Sequence, residues 1–206
     1  MASLAGLVDL VEKHIPGPSP GFAGEHAVLV FLTIGEEGPV SRQALATKTG
    51  LGEGSVRTIL KKLRREGIVT ADPAGCHLTS SGKRLFSSIH SKLSSPLVLD
   101  ESPFTVGTSQ TAVLVHGAWK LVGSGIEQRD STIKLGAAGA TTYVVKGGRF
   151  TIPGGSGDCE RDFPNDRWSI LRGKLNPQNG DAIVVCGATN QTTATLGALA
   201  AALTLA

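Results

Sequence analysis

The segment between residues 41 and 79 constrains the fold of this 206-residue chain more than any other part. From Glu53 to Glu66, apolar residues recur at the i, i+3, i+4, i+7 spacing of an amphipathic helix. These apolar residues are Val56, Ile59, Leu60 and Leu63. Glu53 suits the positive end of the helix dipole, and Gly67 stands where a glycine ends many helices. The pattern predicts a helix with a buried apolar stripe and a free polar face.

A shorter helix and a hairpin flank this predicted helix. Ser41 precedes residues 42–46 as an N-cap, and Gly50-Leu51-Gly52 predicts the turn between the two helices. Two strand patterns, 68–71 and 76–79, are separated by the turn sequence Asp72-Pro73-Ala74-Gly75. A further helix is expected to start at Ser80 or Ser81 and to run to Leu93.

This string of residues resembles the winged-helix regulator families. The resemblance covers Leu45-Ala46, the 50–52 turn, the 56–63 helix, Gly67-Ile68-Val69 and the motif Leu78-Thr79-x-x-Gly82. It implies that the helix starting at Glu53 lies in the major groove of DNA and that the hairpin touches the backbone or the minor groove. A winged helix that binds RNA or protein is the alternative.

The charge distribution favours nucleic acid as the partner. The chain has a net charge of +3, but residues 40–92 hold ten Lys/Arg and three Asp/Glu, so the remainder carries −4. We expect four residues to reach base edges or nearby phosphates: Ser55, Arg57, Thr58 and Lys61. Six more are expected to contact phosphate: Arg42, Lys62, Arg64, Arg65, Lys83 and Arg84.

The composition changes after this first domain, which we assign to residues 1–93. Residues 94–105 are rich in Ser and Pro and predict a linker to a second domain, 106–206. Helix patterns at 126–138, 166–175 and the Ala-rich C-terminus alternate there with strand patterns at 112–116, 141–146, 149–152 and 181–186. The predicted class is α+β: a winged helix-turn-helix followed by a small two-layer α/β sandwich with a mainly antiparallel sheet.

Over residues 20–206 the chain resembles a small archaeal family that pairs a winged helix with a domain of unknown function. In the second half the resemblance is carried by Glu127-Gln128-Arg129-Asp130, Gly139-Ala140-Thr141-Thr142, Pro153-Gly154, Gly180-Asp181 and Gly197-Ala198-Leu199-Ala200. That second domain is similar to the GAD-type two-layer fold inserted in some tRNA-dependent enzymes. The resemblance implies a fold and no reaction.

The second half offers few signals of chemistry. Cys76, Cys159 and Cys186 lack metal-ligand spacing, so we expect reduced thiols in a cytoplasmic protein without metal or cofactor. The glycines at 154–157 lack the Gly-Lys-Ser/Thr ending of a phosphate-binding loop. The uncharged segment 190–206 is short for a membrane span and predicts a buried helix. We therefore predict neither an enzyme nor a membrane protein.

Two predicted helix starts in the second domain suggest a site for a small-molecule effector. Helix N-termini attract anionic ligands because their first N–H groups are free. One terminus follows Thr189-Asn190, and the other follows Gly123-Ser124-Gly125. The predicted ligand-binding residues are Ser124, Glu127, Asp130, Thr189 and Asn190.

The leading hypothesis is a homodimeric transcription regulator that binds double-stranded DNA. Its two recognition helices would meet half-sites about one helical turn apart. The 81–93 helix and the C-terminal helix are the predicted dimer surfaces. The alternatives are an RNA- or protein-binding adaptor and an enzyme with an accessory winged helix.

Overall fold

The computed structural model describes residues 3–12 and 21–206. Two compact units divide the chain, residues 1–90 (unit 1) and residues 91–206 (unit 2). Each unit has its own core.

Unit 1 contains five helices and one hairpin within the described residues. In chain order they are α1 (Leu4–Glu12), α2 (Gly24–Glu37), α3 (Arg42–Thr49), α4 (Glu53–Arg65), β1 (Val69–Asp72), β2 (Gly75–Leu78) and α5 (Ser80–His90). Ser41 caps α3 as predicted, because its Oγ accepts a hydrogen bond from Ala44 N at 3.1 Å. The predicted α4 stripe is buried, at Val56, Ile59, Leu60 and Leu63.

The β1–β2 hairpin is fixed to the start of α3. Val40 and Cys76 exchange two backbone hydrogen bonds, at 2.9 and 2.8 Å. Asp72 Oδ1 accepts from the N–H groups of Ala74 and Gly75, which closes the turn. Gly75 has φ 140°, and a Cβ there would lie 2.9 Å from the Val40 backbone. The hairpin therefore has a defined position beside α3.

Helix α5 packs closely on the hairpin and ends earlier than predicted. A Cβ on Gly82 would lie 2.0 Å from the Ile68 carbonyl oxygen, so only glycine fits there. The predicted helix to Leu93 is wrong, because α5 ends at His90. Leu93 instead forms a β-bridge with Val115 in unit 2.

Unit 2 is built on a five-stranded antiparallel sheet with strand order β3-β4-β7-β5-β6. Its strands are β3 (Leu97–Leu99), β4 (Ser109–Val115), β5 (Gly139–Lys146), β6 (Arg149–Thr151) and β7 (Ala182–Ala188). Its α-helices are α6 (Ile126–Ile133), α7 (Cys159–Asp162), α8 (Arg167–Leu175) and α9 (Gln191–Leu203). Of these helices, α7 is a single turn.

Helices cover both faces of this sheet. On one face Leu114, Tyr143 and Val185 share a core with Trp168 and Leu171 of α8. On the other face Thr111 Oγ1 lies 3.1 Å from Thr195 Oγ1 of α9, and α6 packs beside α9. The predicted α+β class with an antiparallel sheet is confirmed, and the sheet has one helical layer more than the two-layer prediction.

The predicted linker at 94–105 is wrong, because this segment belongs to unit 2. Leu97 and Leu99 pair with β4 as an edge strand. Ser102 and Phe104 are buried. A composition rich in Ser and Pro does not reveal these contacts, since they depend on a strand that follows in the chain.

Helix α6 is shorter than the predicted 126–138, and polar residues occupy its buried side. Ile126 and Ile133 are 52% and 47% exposed, whereas Gln128 and Thr132 are buried. Gln128 Nε2 donates to Thr204 Oγ1 at 2.7 Å, so a polar contact joins α6 to the residue that follows α9. Ala137, beyond the end of α6, is buried.

The Ala-rich helix α9 is buried, as predicted. Most of its length packs on β4, β7 and α6, with Ala194, Ala198, Leu199 and Ala202 inside. Because these residues are used within unit 2, they are not available for the predicted dimer contact. Across the part of the chain that the structure describes, no helix combines the length and apolar character needed to cross a bilayer.

Candidate nucleic-acid interface

An open groove of about 990 Å³ runs along α4 in unit 1. Its walls come from the start of α3, the exposed side of α4 and the β1–β2 hairpin. Val40, Leu60 and Cys76 are its buried residues. The groove exists because the Val40–Cys76 bridge holds the hairpin next to α3 and α4.

Five cationic side chains line this groove, and all five were predicted from the sequence: Arg42, Arg57, Lys61, Arg64 and Arg65. All are exposed. None forms an ion pair with a carboxylate among the residues that the structure describes. The four on α4 recur at i, i+4, i+7 and i+8, which places them on one side of the helix. The groove therefore concentrates cations that no ion pair within the described residues neutralises.

The cations of the groove affect the buried thiol of Cys76. Burial raises the pKa of Cys76, and the positive charges of Arg64 and Arg42 act against that rise. Arg64 comes from α4 and Arg42 from α3, so cations of two helices act on the same hairpin residue.

The groove also contains two carboxylates and an amide that were not predicted as site residues from the sequence. Asp72 is held by the hairpin turn, with its Oδ1 accepting from Ala74 N at 2.8 Å. Glu53 is exposed in the first turn of α4, and Gln43 lies near the start of α3. Gln43 lies two residues after the capping Ser41. This position beside the N-cap of α3 was the sequence signal that could have identified it as a site residue.

The other half of the predicted DNA-binding residues lies outside the groove. Lys62 is half-buried and donates from Nζ to Leu10 O at 3.0 Å, so it ties α4 to α1. Thr58 Oγ1 donates back to Gly54 O at 3.0 Å, and Ser55 is half-buried. A rotation of about 100° per residue turns these three positions away from the hairpin.

Lys83 and Arg84 belong to α5 and do not join the groove. Arg84 lines a separate depression with Leu7, Ile68 and Leu85, and its Nη2 donates to Ser81 Oγ at 3.0 Å. Lys83 is exposed. The ten predicted residues thus divide into five in the groove and five elsewhere on unit 1.

The predicted effector residues of unit 2 do not form one site. Gln128 in the first turn of α6 hydrogen-bonds Thr204 just beyond the end of α9, so the two helices run in opposite directions. Ser124, Glu127 and Asp130 therefore lie at one end of this layer. Thr189 and Asn190 lie at the other end, about 20 Å away along α9.

The start of α9 is also already satisfied within the chain. Asn190 Oδ1 accepts from Thr193 N at 2.9 Å and caps the helix. At the start of α6, Ser124 Oγ accepts a long hydrogen bond from Ile126 N at 3.4 Å. Asp130 pairs with Arg129 at 2.9 Å. No group of three or more His, Cys, Asp or Glu among the described residues could hold a metal ion.

Two family models match separate parts of the chain. Residues 26–84 match the PH0730-like, N-terminal domain. Residues 106–205 match a domain of unknown function, DUF4443. A comparison with curated proteins gives no match.

Among solved structures, the chain is similar to the hypothetical protein PH0730 from Pyrococcus horikoshii OT3. The two share 26% sequence identity over 89% of this chain and 92% of that one, with a TM-score of 0.75. Together these matches support an archaeal two-domain family whose second domain has no assigned function.

Proposed function

We propose that unit 1 is a winged helix that binds double-stranded DNA through the α4 groove, and that the protein is a transcription regulator. The observation that carries this proposal is the set of five exposed cations on one groove, none of them paired with a carboxylate among the described residues. A duplex is a polyanion whose phosphates match such a surface, and releasing its counterions contributes much of the affinity.

The shape of α4 and its surroundings supports the same proposal. A helix with its side chains is about 10–12 Å across, and the major groove of B-DNA is about 12 Å wide. Arg57 and Lys61 lie one turn apart on the exposed side of α4, where they can reach base edges. Arg42, Arg64 and Arg65 then contact phosphates. The hairpin tip at Pro73 and Ala74 is exposed beside them and acts as the wing.

Unit 2 is proposed to regulate or dimerise this DNA-binding unit. The GAD-like fold and the homodimer stay predictions. Measuring the mass of the protein in solution tests whether it is a homodimer. The RNA-binding alternative is tested with the same protein in the experiment below.

The test is fluorescence anisotropy with a labelled random-sequence duplex over a range of salt concentrations. We expect the logarithm of the association constant to fall linearly with the logarithm of salt, with a slope between about −3 and −5 for three to five phosphate contacts. Unlabelled duplex DNA should compete better than a structured RNA of equal length. Binding that does not respond to salt, or stronger competition by RNA, would overturn the proposal.

A further inference from the structure

Unit 2 contains a small pocket of about 200 Å³ on the α8 face of the sheet, which we call the aromatic pocket. Four aromatic side chains line it: Phe104, Tyr143, Phe163 and Trp168. Pro103, Ile152 and Cys159 complete its apolar wall. These residues come from separate segments of unit 2, so neither periodicity nor a local motif marks the pocket in the sequence.

The strong polar groups on the wall are already hydrogen-bonded. Tyr143 Oη donates to Phe104 O at 2.9 Å. Trp168 Nε1 and Asn165 Nδ2 both donate to Phe163 O, at 3.0 and 3.1 Å. Asn165 Oδ1 accepts from Arg167 N at 3.0 Å. The surface left for an occupant therefore consists mainly of ring faces and aliphatic groups.

The wall is also uncharged. Burial raises the pKa of both Tyr143 and Cys159, which keeps them neutral at physiological pH. The nearby Arg167 does not line the pocket, and it pairs with Asp100 at 3.0 Å. A charged ligand would lose its hydration here without gaining a partner.

Two exposed apolar side chains converge on this pocket. Phe163 is 65% exposed and Ile152 is 49% exposed, although both are large and apolar. Trp168 lies deeper, with its ring centroid 4.4 Å from Phe104 and 5.3 Å from Tyr143. These are the separations at which aromatic rings attract one another, so a further ring between Phe163 and Trp168 would extend an existing cluster.

We propose that the aromatic pocket binds a small neutral molecule with one aromatic ring. A cavity of about 150 Å³ is enough to hold a benzene molecule, so the aromatic pocket has room for a ring with a substituent. Such a ligand covers Phe163 and Ile152 without needing a charged partner. This site does not depend on DNA binding by unit 1.

The chain has two tryptophans, both in unit 2, and the test keeps one of them as a fluorescent reporter. The Trp119→Phe variant leaves Trp168 as the single fluorescent reporter in the aromatic pocket. Titration with benzyl alcohol should change Trp168 emission along a saturable curve. Cyclohexanol, of similar size but not aromatic, should bind about fivefold more weakly, and benzoate should not compete.

A matched pair of variants separates the pocket from a general solvent effect. In the Trp119→Phe background, Phe163→Ala should weaken benzyl alcohol binding about fivefold. Leu121→Ala should leave it unchanged, since Leu121 is also 65% exposed but does not line the pocket. Both side chains are exposed, and Trp168 keeps its bond to the backbone carbonyl of residue 163, so both variants should fold. A linear response to all three compounds, or equal responses in the two variants, would overturn the proposal.

Discussion

The ten arginines of the chain are divided equally between the two units, but they have different partners. In unit 2 each of the five lies within ion-pair distance of a carboxylate: Arg129, Arg149, Arg161, Arg167 and Arg172. In unit 1 none of the five does so among the described residues. The arginines of unit 2 therefore serve its own fold. Those that line the groove of unit 1 have no carboxylate partner among the described residues, and this difference is the basis of the proposed DNA binding.

The largest effect should come from removing two groove arginines. Arg57→Ala combined with Arg64→Ala should weaken binding to duplex DNA at least about tenfold and reduce the salt slope by at least about 1, for the phosphate contact of Arg64. Anisotropy measurements at several salt concentrations give both quantities.

The control for this variant is Arg129→Ala combined with Arg161→Ala. It removes the same charge from two exposed but paired arginines of unit 2. Its affinity for DNA should stay within about twofold of wild type. Equal losses in the two double variants would mean that net charge matters and the groove does not.

For stability the order should be the opposite, because an arginine of unit 2 has partners that a groove arginine lacks. Arg172 bonds the Glu160 carboxylate, donates to Gly148 O at 2.8 Å and lies 4.5 Å from the Phe150 ring centroid. Arg172→Ala should lower the free energy of unfolding of unit 2 by about 1–2 kcal/mol. Arg65→Ala in unit 1 should change stability by less than about 0.5 kcal/mol.

Urea unfolding measures both variants. Because both tryptophans lie in unit 2, their fluorescence follows that unit, while far-UV circular dichroism also follows unit 1. A larger loss of unfolding free energy for Arg65→Ala than for Arg172→Ala would contradict the difference between the two sets of arginines.

The third prediction concerns high pH. Burial raises the pKa of the Cys186 thiol to about 12, from 9.0. The folded state therefore keeps a proton that the unfolded state releases. Stability from this thiol is complete below about pH 9 and is lost as the pH rises toward 12, at up to about 1.4 kcal/mol per pH unit.

Unit 1 should lose less stability at high pH. Its buried thiol among the described residues is Cys76, where Arg64 and Arg42 oppose the rise in pKa. Urea midpoints between pH 8 and 10.5 measure this difference. The Cys186→Ala variant should show a shallower decline than wild type, and identical declines would contradict the assignment to this thiol.

The smallest effect should come from the acid inside the groove. Glu53→Gln removes a negative charge beside the groove cations and should raise DNA affinity about two- to threefold at low salt, with little change at high salt. Glu127→Gln changes the same charge in the first turn of a helix in unit 2. An increase of equal size in both variants would exclude a local effect.

Helices α4 and α6 show why the sequence predicted one unit better than the other. In α4 the apolar spacing determined which side is buried, so Arg57, Lys61 and Arg64 were correctly placed on the free side. In α6 the core accepts Gln128 and Thr132 and leaves Ile126 exposed, because a hydrogen bond to Thr204 fixes the orientation. Apolar periodicity cannot detect a polar contact to a residue 76 positions away.

The candidate groove was predictable in part for the same reason. The helical period identified the cations of α4, but the hairpin wall depends on the bridge between Val40 and Cys76. Lys62 was misplaced because its partner, the Leu10 carbonyl, lies 52 residues away in sequence. The aromatic pocket was not predicted, since its residues come together only when the 103–104 segment, β5, α7 and α8 pack.

Arginine footprinting tests the central claim most directly. Phenylglyoxal modification of each arginine, mapped by mass spectrometry with and without duplex DNA, compares all ten side chains in one experiment. We expect DNA to protect Arg42, Arg57, Arg64 and Arg65, and to leave Arg84 and the five arginines of unit 2 unchanged. Protection of the unit 2 arginines alone, or of none, would contradict the claim that the groove arginines are kept free for DNA.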